Sequence, residues 1–150
     1  MHKELQKVVE YLDSLNWSYE VAAVDMILLS EGSAMIMVTI ETCQSRTGNI
    51  DLVSIRSPIL RDVKQSEELF KTISEVNSSL PFGALVLEEH EGRNSIFGSN
   101  KTSLLFLKHA LLAQTLDEEE IEFGVGTIAI LADELDDQLQ DKFGGKKAIE

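Results

Sequence analysis

The sequence predicts an α+β domain in which three helices pack on an antiparallel sheet. Three observations carry this. Apolar residues step at helical spacing in three separate segments, β-branched runs bounded by turn residues lie between them, and glycine or proline closes the second and third helical segments.

The first helix is expected over 2–16, where Leu5, Val8, Val9, Leu12 and Leu15 form one face and Lys3, Glu4, Lys7, Glu10 and Asp13 the other. From Trp17 the pattern becomes β-rich. Runs at 18–29 and 34–42, separated by Ser30-Glu31-Gly32-Ser33, predict a hairpin. A polar stretch at 43–49, with Thr47-Gly48-Asn49 as its turn, leads to a strand at 50–55 that Pro58 is expected to stop.

The second half repeats this order. Leu69, Ile73, Val76 and Leu80 predict a helix over 65–79, stopped by Pro81 and Gly83. A strand at 84–89, a turn at 91–94, a short strand near 95–98 and a strand at 102–112 follow. The expected order is α-β-β-β-α-β-β-(β)-α in one domain spanning 1–150, since no linker divides the chain and the halves share no alignable repeat.

The last segment carries a conflict between composition and periodicity. Residues 121–130 are β-branched and contain Gly124 and Gly126, each costing a helix about 1 kcal/mol relative to alanine. Yet Ile121, Val125, Ile128, Ala132, Leu135, Leu139 and Phe143 form a stripe that strand spacing cannot produce. A helix over 117–142 is therefore expected, with Asp117 and Glu120 as its capping box and Gly144-Gly145 at its end. Both Gly124 and Gly126 are then expected to mark close approach to another backbone.

Composition narrows the function. A chain of 150 residues buries about 70% of its unfolded surface, enough for one sizeable core. The net charge of −13 opposes binding to phosphate backbones or anionic lipid, so neither nucleic acid nor a membrane surface is the expected partner. The longest apolar runs, 34–40 and 104–107, fall far short of the roughly 20 residues a spanning helix needs. A single cysteine, Cys43, and a start without signal-peptide character suit a cytoplasmic protein.

Chemistry-bearing patterns are weak throughout. His90, His109 and Cys43 lack the short paired spacing of a zinc site, and Cys43 has only Arg46 nearby to favour its thiolate. Gly98-Ser-Asn-Lys-Thr-Ser103 lacks the glycine before lysine that a phosphate loop requires. From Asp117 to Asp141 ten acidic residues occur without a Lys or Arg, which reads first as a solvated helix face. No catalytic residue, cofactor site or metal site is assigned. Met26, Met35 and Met37 are the candidate partner-binding residues, because thioethers suit surfaces that accept varied apolar partners; core filling is the plainer alternative. Leu104, Phe106, Leu107, Leu111 and Leu112 put apolar groups on both faces of one strand, more than one covered face requires, and are the candidate dimer contact.

Across nearly its whole length the chain resembles the YbjN family, whose fold is that of class I type III secretion chaperones. The resemblance is most specific in Leu104-Leu-Phe-Leu-Lys-His-Ala-Leu-Leu-Ala113, Leu116-Asp-Glu-Glu-Glu-Ile121, Ala132-Asp-Glu-Leu-Asp-Asp-Gln-Leu139 and Phe143-Gly-Gly145. It implies a chaperone-like layout, homodimerisation and a partner-binding role, with no active-site residue. The expected function is a non-enzymatic module holding a client protein segment. A small-ligand sensor, or an enzyme with a carboxylate and histidine pocket, stands as the alternative.

Overall fold

The computed structural model describes residues 1–91, 101–144 and 146–147, with the backbone alone at 90, 91, 101, 102, 146 and 147. In chain order the elements are α1 (Lys3–Ser14), β1 (Glu20–Ala23), β2 (Met26–Glu31), β3 (Ala34–Ser45), β4 (Gly48–Arg61), α2 (Glu67–Ser79), β5 (Ala84–Glu91), β6 (Lys101–Leu112), α3 (Glu118–Phe143) and β7 (Lys146–Lys147). The strands form one antiparallel sheet in the order β1-β2-β3-β4-β6-β5, with the two-residue β7 beside Leu60 and Arg61 of β4. This is the expected α+β class, three helices on an antiparallel sheet.

Strand pleating sends alternate side chains to opposite faces. Ile27, Leu29, Ile36, Val38, Val53, Ile55, Leu105 and Leu107 all point to the helix-bearing face and are buried there. Leu5, Val8 and Leu12 of α1 and Leu69 of α2 join them in one core. Most of the cover comes from α3, which lies across β3, β4 and β6.

The periodic stripe decides α3. Ile121, Val125, Ile128, Ala132, Leu135 and Leu139 are buried, and Asp117 and Glu120 form the reciprocal capping box. One long apolar face outweighs the β-like composition of residues 121–130 because burying each large aliphatic side chain contributes about 1.5–3 kcal/mol, more than each glycine costs. The glycines themselves differ. A Cβ on Gly124 would stand 2.8 Å from Cδ1 of Ile55, whereas one on Gly126 would meet nothing within 4 Å. The close approach is thus confined to Gly124, and its neighbour is a side chain rather than a backbone.

Three strand expectations are corrected. Residues 18–29 form two strands, because the chain turns at Val24-Asp25, so four strands precede α2. Pro58 does not end its strand: β4 continues to Arg61 through an irregularity between Pro58 and Leu60. Proline is tolerated there because the β3 ladder stops at Arg56, and the Ser57 hydroxyl instead donates to the Met35 carbonyl at 2.8 Å. The polar stretch at 43–49 is mostly strand, turned only at Arg46-Thr47, with Ser45 Oγ donating to the Gly48 carbonyl at 2.7 Å. The expected turn at 91–94 and strand at 95–98 lie outside the described residues, apart from Glu91 at the end of β5.

Candidate protein-binding face

The face opposite the helices carries Met26 and Leu28 from β2, Met35 and Met37 from β3, Pro58 from β4 and Phe106 from β6. Cross-strand pairing aligns Leu28, Met37, Arg56, Lys108 and Ala84 in one row, and places Phe106 between Pro58 and Val86 in the next. Among the described residues no helix covers this surface. Its methionines are half-buried by their neighbours within the sheet.

Charged side chains meet in the middle of the face, while Glu20 of β1, paired with Leu28, stands at its edge. The Arg56 guanidinium lies 4.3 Å from the centre of the Phe106 ring and donates to Glu88 of β5. Phe106 is only 6% exposed, with the Arg56 guanidinium over its ring. On the next strand, Lys108 Nζ donates to both carboxylate oxygens of Glu41, at 3.0 and 2.9 Å. Glu41 lies opposite Leu52 and Lys108 opposite Arg56, so this bridge crosses β4 over Ser54. Ser54 is fully buried, and among the described residues its hydroxyl has no hydrogen-bond partner; neither does Nε of Arg56.

Of the sequence-derived candidates, Met26, Met35 and Met37 stand together on this face, and Leu104, Phe106 and Leu112 lie on the same face along β6, Leu104 and Leu112 on opposite sides of Lys108. Leu107 is fully buried on the helix side and Leu111 packs against the same core, so these two serve the interior of the chain. Beside the methionines, Ser18, Tyr19, Glu20, Leu28, Ser30 and Met35 line a shallow depression of about 290 Å³. Arg56, Lys108 and Ser54 were not singled out from sequence. Their meeting depends on cross-strand register, which a strand's own sequence does not specify.

The candidate chemical residues are scattered. Cys43 is exposed near the end of β3. His109 faces the helices, its ring stacked on Phe82 with centroids 3.6 Å apart, and partial burial lowers its pKa from the ordinary imidazole value. The side chain of His90 lies outside the described residues.

The two sheet edges also differ. Along β5, the Asn77 side chain accepts from the Leu85 N–H at 2.7 Å and donates to the Leu85 carbonyl at 3.1 Å, occupying backbone groups that another strand would need. Along β1 all four side chains are exposed, and no strand lies beyond it among the described residues.

Among the described residues, then, the sheet has one helix-covered face and one face on which apolar side chains surround a charged centre, as antiparallel sheets commonly do. A family model described as T3SS (YopN, CesT) and YbjN peptide-binding chaperone 1 matches residues 4–150, and the chain belongs to that family. Among solved structures it is similar to YbjN from E. coli, at 14% identity over 93% of both chains with a TM-score of 0.58, a likeness of fold. No curated protein is significantly similar in sequence. The described helices include none long and apolar enough to cross a membrane.

Proposed function

We propose that this protein is a non-enzymatic binding module of the chaperone or adaptor kind, which holds an extended client segment against its helix-free sheet face and works as a homodimer. The observation that carries this is the cluster of Met26, Leu28, Met35 and Met37, half-buried on a face that no described helix covers. Such side chains repack around varied apolar groups at little cost, which suits a surface that accepts extended segments. Family membership supports the peptide-binding role. Leu112, 39% exposed on the same face and paired with Leu52, is assigned to contact with the second copy.

YbjN has been described as a candidate transcription regulator. For this chain the net charge of −13 favours a protein client over DNA. A histidine-centred enzyme is disfavoured because burial alone shifts His109, whose ring is taken up by stacking on Phe82.

Hydrogen exchange with and without a saturating extended apolar peptide tests the reading. Protection is expected on β2, β3 and β4. Protection confined to the outer surface of α3 would contradict it.

A further inference from the structure

Arg56 and Lys108 are direct cross-strand partners. Like charges in that position destabilise a sheet, and here they stand amid apolar side chains in a chain of net charge −13. Intramolecular carboxylates offset the repulsion, Glu88 on one side and Glu41 on the other. Beneath them lies a fully buried Ser54 hydroxyl without a partner among the described residues, and Nε of Arg56 lacks one there as well. A buried donor left unmade costs about 1–3 kcal/mol, and the fold gains nothing visible in return.

We infer that Arg56, Lys108 and Ser54 form a carboxylate-recognition site for an acidic side chain within an otherwise apolar client segment. The inference rests on the proposed client-binding role of this face. A client carboxylate replacing Glu41 would meet Lys108, Arg56 and, once the bridge over it opens, the Ser54 hydroxyl. Charge-assisted hydrogen bonds of this kind are roughly twice as strong as neutral ones. An acidic side chain, rather than a chain terminus, is the matching source because apolar groups flank the site in both directions: Leu28 and Met37 on one side, Ala84 and Val86 on the other. A bound segment therefore continues past the charge both ways. The site would select among clients, while the methionines supply contact that tolerates many sequences.

The test uses two labelled peptides, acetylated and amidated at their ends, identical and apolar except for a central Glu or Gln. Fluorescence anisotropy against the full chain should show the Glu peptide binding about tenfold more tightly, as expected for one charge-assisted contact in a partly desolvated site. Arg56→Gln and Lys108→Gln should each reduce that ratio to about twofold, with an unchanged circular dichroism spectrum in at least one of them. Equal binding of both peptides to the wild-type chain overturns the inference while leaving client binding intact. Failure of both peptides to bind overturns the inference and the proposed function together. A change of oligomeric state in Arg56→Gln, with the Glu preference retained, would assign the charged centre to contact between copies and likewise overturn it.

Discussion

Asn77 of α2 makes a two-way backbone clasp on Leu85 of β5, accepting from its N–H and donating to its carbonyl. The clasp satisfies an outer strand edge and anchors α2 to the sheet. Asn77→Ala should lower unfolding free energy by about 1–3 kcal/mol, because two partly buried backbone groups lose their partner. It should also raise concentration-dependent association, since the edge becomes available for strand pairing. Urea titration and light scattering measure the two effects.

Gly124 and Gly126 of α3 should respond oppositely to the same substitution. Gly126→Ala adds a methyl group into open space and should stabilise by about 0.5–1 kcal/mol through helix propensity. Gly124→Ala presses on the fully buried Ile55, so overpacking of about 1–3 kcal/mol offsets or exceeds the same gain. Thermal melts of the two variants should differ in this order.

The contrast between these glycines shows what the sequence carries. The stripe from Ile121 to Leu139 was legible because helical period is a property of one segment, and so was the Asp117 capping box. Which glycine touches a neighbour was not, since that depends on how α3 crosses β4. Pro58 misled for a related reason: whether a proline ends a strand depends on whether its missing N–H was needed, and the β3 ladder stops before it. The methionines could be placed on one face by counting in twos along β3, but the openness of that face follows from all described helices packing on the other side. Nothing local to Arg56 or Lys108 announces that they pair.

His109 should make stability pH-dependent. Its folded pKa lies below the ordinary value of 6.5 because burial disfavours the charged imidazole. As pH falls through that value the unfolded chain takes up the proton more readily. The contribution is therefore present above 6.5 and lost as pH drops through the folded pKa. His109→Phe keeps a ring for Phe82 to stack on. Between about pH 7.5 and about pH 5.5 its urea midpoint should fall less than that of the wild type, the two conditions lying either side of the imidazole range.

The proposed homodimer predicts a light-scattering mass of about twice the 16.7 kDa chain at micromolar concentration. Leu112 is 39% exposed on the helix-free face, so Leu112→Glu should leave folding intact and return the mass to that of one chain. A wild-type mass near 16.7 kDa would remove the dimer from the account.

The most direct test of the client-binding face compares two surfaces on one molecule. Met35→Lys with Met37→Lys places charge on the helix-free face, while Ile130→Lys places it on the outer surface of α3, where Ile130 is 63% exposed. Anisotropy titrations with the same labelled apolar peptide should show at least about tenfold weaker binding for the double methionine variant and wild-type affinity for Ile130→Lys, all three proteins keeping the same circular dichroism spectrum. Unchanged affinity in the methionine variant, or an equal loss in both, would contradict the assignment of client binding to this face.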